Sequence, residues 1–314
     1  MPFTLIRGLH NLRPQHRGCV ATIGSFDGVH RGHRAIIGQL LAQAQELGLP
    51  SVVMLFEPQP HEFFASDKAP ARLMRLRDKI RALSALGVER VFCLQFNQRL
   101  RQLSAQAFIE QVLVQGLGIR SLVVGDDFRF GCDRLGDFAL LQQAGQQHGF
   151  TVFDTCTVQE GGERISSTRI RRALEAEDYA QAERLLGHPY TIRGRVVYGQ
   201  QLGRTIGVPT ANVRLHRYRS PLNGVFAVRL RRVAEDAWLP GVANVGLRPT
   251  VGGETRPILE VHLLDFQGHL YGREVEVHFE KKLREEQKFP SFDALKEQIY
   301  RDIAAARHFF GIGQ

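Results

Sequence analysis

The chain changes its hydrophobic rhythm once, near Tyr190, and that change limits the fold more than any other feature. Before it, short apolar runs suited to buried strands occur at Val20–Ile23, Val52–Phe56, Val91–Phe96, Ser121–Val124 and Thr151–Val158. Between them, Ala35–Leu47, Arg72–Leu86, Ser104–Leu117 and Asp137–His148 space their apolar residues three and four apart. Leu76, Ile80, Leu83 and Leu86, for instance, share one helix face. Strand–helix alternation predicts a Rossmann-like α/β domain, a parallel sheet covered on both faces. Such sheets bind ligands beyond the carboxyl ends of their strands. Gly24–His33 and Gly125–Phe130 each follow a strand, so both are expected to line that edge.

After Tyr190 the stretches alternate instead, at Arg193–Tyr198, Val225–Val233, Trp238–Val245, Ile258–Phe266 and Glu274–Phe279. Turn residues separate them at intervals that predict a closed antiparallel β-barrel. One helix follows, Phe292–Phe309, with Ser291 as its N-cap and Leu295, Ile299 and Ile303 facing inward. Gly187-His188-Pro189 interrupts both patterns, which sets the expected domains at 1–186 and 187–314.

The 314 residues are 43% hydrophobic and 23% charged, as in ordinary globular proteins. No apolar run approaches the ~18 residues of a membrane span, and Met1–Arg7 lacks the apolar core of a signal peptide. Cys19, Cys93 and Cys156 sit in strand-like runs and Cys132 stands apart, which suits reduced thiols and a cytoplasmic setting. Net charge is +9, with 22 Lys/Arg against 19 Asp/Glu in residues 1–186 and 19 against 13 in 187–314. Spread this thinly, the charge is poor support for a nucleic-acid partner and equally suits polyphosphate substrates. Neither nucleic acid nor membrane is expected as a partner; a weak homo-oligomer is compatible with the sequence.

Within Thr22–His33, a strand turns through Gly24 and Gly28 into a helix start, with His30 and His33 three residues apart. Free backbone N–H groups and the positive end of the helix dipole favour an anion there, and the histidines add donors that can carry positive charge. Zinc ligation and ordinary surface histidines are the competing readings; no Cys, Asp or Glu stands nearby at metal-ligand spacing. Further on, Val123–Gly131 carries a strand into a glycine-flanked loop holding Asp127 and Phe128, which a plain polar turn also explains. In Arg164–Arg172, hydroxyls open a helix. Arg169, Arg171 and Arg172 crowd its first turn against the dipole, a conflict that a bound polyphosphate would remove.

These segments resemble bacterial FAD synthetases. Gly-x-Phe-Asp-Gly-Val-His-x-Gly-His is a long form of the nucleotidyltransferase His-x-Gly-His element. Val-Gly-x-Asp-Phe-Arg-Phe-Gly and Ile-Ser-Ser-Thr-x-Ile-Arg match the family's later motifs, although some members carry Asn where Asp127 stands. The resemblance implies that His30 and His33 stabilise charge on the α-phosphate of ATP, beside Gly24, Phe26, Asp27 and Gly32. It gives Arg164, Ser167, Thr168 and Arg171 the triphosphate and departing pyrophosphate, and Asp127 and Phe128 the flavin. The 5′-phosphate of FMN would attack directly, which asks for positioning and electrostatics more than for a general base.

Arg195–Asn212 is dense in turn residues. A Walker A reading of Gly199–Thr205 fails on spacing and lacks the Lys. Thr210 and Asn212 place neutral oxygens on one side of an extended backbone, which suits Mg²⁺ carrying substrate phosphates. The pattern Gly-x-x-x-Gly-Arg-x-x-Gly-x-Pro-Thr-Ala-Asn resembles the riboflavin kinase domain, and Leu259–Phe266 and Leu270–Arg273 match its later strands. By that resemblance Glu260 is the general base for the riboflavin 5′-hydroxyl. Gly203, Arg204, Gly207, Pro209, Thr210 and Asn212 hold ATP, with Mg²⁺ on Thr210 and Asn212. From its strand alone, Glu260 could equally be an outward surface residue.

Together the two resemblances imply a bifunctional enzyme that makes FMN from riboflavin and ATP, then FAD from FMN and a second ATP. A tRNA-ligase relative would share His-x-Gly-His but carry an anticodon-binding or insertion domain, which the second half does not resemble. A flavin-dependent regulator with dead sites would not be expected to keep His30, His33, Thr210, Asn212 and Glu260 intact.

Overall fold

The computed structural model describes residues 3–65, 68–125, 127–155, 157–199, 202–215, 219–233, 235–249 and 255–313. They fall into two compact units, one of residues 1–70 and 76–167, the other of residues 71–75 and 168–314.

The first unit is built on six parallel strands, β1 (Thr4–Arg7), β2 (Cys19–Ile23), β3 (Ser51–Glu57), β4 (Arg90–Gln95), β5 (Ile119–Val124) and β6 (Thr151–Asp154). Their order is β1-β4-β3-β2-β5-β6. Every residue of β2 is buried, as a strand covered on both faces must be. β1 has no counterpart in the sequence expectations: only Ile6 of its four residues is buried, so its pattern is weak without its partner β4. Thr151–Val158 was expected as one strand, but β6 ends at Asp154 and Cys156 lies outside the described residues. The two-residue strands β7 (Gln159–Glu160) and β8 (Glu163–Arg164) then form a hairpin.

Helix Arg31–Leu47 starts four residues before the apolar pattern, because His30 caps it. Helix Leu76–Ala85 is shorter than the expected Arg72–Leu86. Ser104 caps one α-helical turn, Ala105–Phe108, which continues as π-helix over Ile109–Leu117. Helix Phe138–His148 opens on Asp137, whose carboxylate accepts the Leu140 N–H at 2.9 Å. The strand order reverses between β3 and β5 on either side of β2. The loops after β2 and β5 therefore flank a topological switch point, the usual ligand crevice of such sheets.

In the second unit, helix Ser167–Glu175 from Thr168 onward and helix Tyr179–Leu186 precede the barrel, and the latter ends on Gly187 at φ 78°. The barrel strands are β9 (Thr191–Val197), β10 (Ala211–Val213), β11 (Gly224–Arg232), β12 (Leu239–Pro249), β13 (Thr255–Leu263) and β14 (Glu274–Arg284). They close antiparallel in the order β10-β13-β12-β11-β14-β9. β10, three residues inside a Gly/Pro-rich motif, gives no periodic signal of its own. Leu259, Val261 and Leu263 of β13 are buried while Ile258, Glu260 and His262 are half-buried, so Glu260 belongs to the outer face.

Helix Phe292–Phe310 covers part of that outer face. Ser291 caps it through the Ala294 N–H at 3.2 Å, as expected. Ala306 packs with Val225, Ala227, Val242 and Leu264, and Ile303 lies against the same cluster.

Candidate active sites

After β2 the backbone turns tightly. Phe26 (φ 47°) and Val29 (φ 41°) take left-handed conformations around Gly28 (φ 88°), an outlier for a β-branched residue such as Val29. Strain of this kind costs roughly 1–3 kcal/mol per residue and persists only where neighbours over-determine it. Here the neighbours are specific. Lys79 Nζ donates to the Ser25 carbonyl at 2.5 Å and Ser167 Oγ to the Asp27 carbonyl at 2.8 Å. Phe26, Asp27 and Val29 are all buried. A Cβ at Gly24 would lie 3.0 Å from the Phe26 ring and one at Gly32 3.2 Å from the His30 ring, so a larger residue at either would press on those rings.

His30 Nδ1 accepts the His33 N–H at 3.2 Å, which leaves the proton of a neutral His30 ring on Nε2. The two imidazoles stack, with centroids 3.5 Å apart at 15°, and Phe26 leans on His33 at 5.0 Å. His33 Nδ1 is buried and has no hydrogen-bond partner among the described residues. Burial, then the charges of His30, Lys79 and Arg164, hold the His33 pKa well below the ordinary histidine value. Burial thus favours the neutral form of the ring in this fold. A helix N-terminus beside an orphaned ring nitrogen is suited to an anion.

Arg164 on β8 donates to Asp127 at 2.5 Å, and that hydrogen bond holds the Asp127 carboxyl below its usual range. Phe128 stacks on Phe130 at 5.5 Å. Thr168, exposed, and Arg171, whose Nε donates to the Ala71 carbonyl at 2.5 Å, belong to the second unit. Asp126 lies outside the described residues.

In the second unit, a cavity of about 430 Å³ lies between the outer barrel face and the C-terminal helix. Gly203, Thr210, Asn244 and Glu260 line it on the barrel side, and Leu295, Ile299 and Ile303 on the helix side. Strand register places Glu260 directly opposite Asn212 on β10 and Asn244 on β12, so three polar side chains form one row. Glu260 points outward, and the helix turns that outer face into the wall of a cavity. Gly199 leaves room for the Asn212 amide, since a Cβ there would fall 2.4 Å from Asn212 Nδ2.

Arg204 and Pro209 line a smaller cavity of about 80 Å³ that also touches Thr210 and Tyr271. Gly207, at φ 74°, closes the short helix Leu202–Thr205. Gln200 and Gln201 lie outside the described residues. Three groups escaped the sequence reading. Asp302 is buried in a bidentate pair with Arg284, at 2.8–3.1 Å. Tyr300 donates to the Ile206 carbonyl at 2.8 Å. Lys79 was hidden among helix-face spacings that suit an apolar residue.

Residues 12–169 match the FAD synthetase family and residues 186–310 the riboflavin kinase family. A bifunctional riboflavin kinase/FMN adenylyltransferase of Pseudomonas fluorescens is 59% identical over 303 residues, covering 96% of each chain. One from Escherichia coli K12 is 57% identical over 309 residues, covering 98% of each. A solved structure described as a macrolide-efflux protein of Streptococcus pneumoniae is similar with a TM-score of 0.75 at 30% identity, covering 97% of this chain and 99% of that one. Among the described residues no helix is long and apolar enough to cross a membrane. With both halves matched in order and near-full-length relatives above 50% identity, the chain belongs to the family of bifunctional riboflavin kinase/FMN adenylyltransferases.

Proposed function

We propose that the chain divides its two reactions between residues 1–186, which adenylylate, and residues 187–314, which phosphorylate. The chain phosphorylates riboflavin to FMN with ATP, then adenylylates FMN with a second ATP to give FAD and pyrophosphate. The observation that carries the assignment is the row Asn212–Glu260–Asn244, of which Glu260 and Asn244, with Thr210 beside them, line the cavity under the C-terminal helix. A carboxylate there can take the proton of the riboflavin 5′-hydroxyl as its oxygen attacks the γ-phosphorus and ADP leaves. Thr210 and Asn212 are neutral oxygen donors of the kind that share Mg²⁺ with substrate phosphates, and Gly199 leaves the space that the Asn212 amide occupies. These two would hold the Mg²⁺, which supplies charge neutralisation on the phosphates. Gly203, Arg204, Gly207 and Pro209 shape the loop around the same ATP.

In the other half, His30 Nε2–H, the His33 ring and the first-turn N–H groups meet the α-phosphate, with Gly24, Phe26, Asp27 and Gly32 fixing the turn. An FMN phosphate oxygen attacks the α-phosphorus and pyrophosphate leaves toward Arg164 and Ser167. Asp127 and Phe128 face the flavin. These are small-molecule reactions suited to the cytoplasm.

The division is tested by fragments. A fragment starting at Leu185 should phosphorylate riboflavin and form no FAD, read by chromatography of the products. A second fragment, starting at Thr168, keeps helix Tyr179–Leu186 with the barrel unit and guards against loss of folding. A fragment that folds and binds flavin yet phosphorylates nothing refutes the assignment. Gly199→Ala, whose Cβ displaces the Asn212 amide, is expected to lower riboflavin phosphorylation by about 10–100-fold, the scale of a 1 Å misplacement. Supplied FMN should still become FAD at the normal rate.

A further inference from the structure

We propose that Lys79 is a positioning residue for adenylyl transfer, whose buried ammonium pins the strained turn after β2 and supplies fixed positive charge to the phosphate site. The proposal rests on the adenylyltransferase reading of that site. Lys79 lies on helix Leu76–Ala85, three residues after Leu76 and four before Leu83, where a core-facing helix normally carries an apolar side chain. It is 2% exposed and ranks among the largest fully buried side chains. A buried ammonium is costly unless hydrogen-bonded and compensated, so a lysine here calls for a reason that Leu or Met would not satisfy.

Two observations supply the reason. Lys79 Nζ donates to the Ser25 carbonyl at 2.5 Å, immediately before the left-handed Phe26 and three residues before Gly28. The bond therefore holds the backbone at the entry to the turn that presents His30 and His33. The ammonium is also close enough to His33 to oppose its protonation, alongside His30 and Arg164. The same field that repels a proton from His33 attracts a triphosphate. Because the ammonium is locked in the core, it needs no reorganisation as charge builds on the α-phosphate and the departing pyrophosphate. Lys79 acts through the turn and through its field, without being assigned a contact to substrate.

The experiment uses the full chain with Lys79→Met, which keeps the bulk, Lys79→Gln, which keeps a donor without charge, and Lys79→Arg, which keeps the charge. FAD formation from supplied FMN should fall about 10²-fold in kcat in both neutral variants, the scale of losing one preorganised stabilising group. Lys79→Arg should retain more turnover than either. Riboflavin phosphorylation should be unchanged in all three. By NMR, the His33 imidazole should titrate at higher pH in both neutral variants and stay near its wild-type position in Lys79→Arg, so that turnover and titration both follow the charge and not the bulk at this position.

Wild-type turnover in Lys79→Gln or Lys79→Met, or an unmoved His33 titration, overturns the proposal. Loss of folding in both neutral variants also overturns it, by making the lysine structural. His33→Ala separates the failures. If it abolishes FAD formation while the Lys79 variants are silent, only this inference falls. If it too is silent, the reading of the whole site falls.

Discussion

Glu260→Gln should lower riboflavin phosphorylation by roughly 10²–10⁴, the usual range for removing a general base, while FAD formation from supplied FMN stays near normal. The substitution is nearly isosteric and sits on the outer face of β13 between Asn212 and Asn244, so the barrel interior of Leu259, Val261 and Leu263 is untouched. An amide in the same position can still hydrogen-bond but cannot take the proton of the attacking hydroxyl. Separate assays of FMN and FAD formation check both halves of the expectation. Full kinase activity in the variant would return Glu260 to the role of a polar residue on a barrel surface.

His33→Ala should lower adenylyl transfer by ~10² or more, comparable to removing one transition-state donor, with riboflavin phosphorylation retained. The loss should appear in turnover more than in FMN affinity, because the ring is placed to answer charge that grows during the reaction. The stacked His30 ring, itself the N-cap of helix Arg31–Leu47, should keep the helix start in place without it. Steady-state kinetics of FAD formation at varied FMN give the split between kcat and KM. Equal loss of both activities in a folded variant would make His33 structural, and a stoichiometric bound zinc would end the phosphate reading.

The two histidines, the Pro-Thr-Ala-Asn segment and the change of rhythm were legible because each is a local pattern. A strand that turns through glycine into a helix, and an alternation that replaces a helix repeat, are written in consecutive residues. The strands β2 to β5 and the C-terminal helix accordingly lie where periodicity put them, shifted by a few residues at their ends. What the sequence did not carry depends on partners distant along the chain. β1 is a strand because β4 offers it an edge, and β10 because β9 and β13 hold it between them. The switch point beside β2 exists only once the strand order does. Alternation left Glu260 open between an outward surface residue and a site residue, and only helix packing makes its outer face the wall of a cavity. Lys79 likewise reads as one more charged residue on an amphipathic helix. Its burial beneath the turn after β2 follows from long-range packing, which brings an ammonium 2.5 Å from a carbonyl 54 residues earlier.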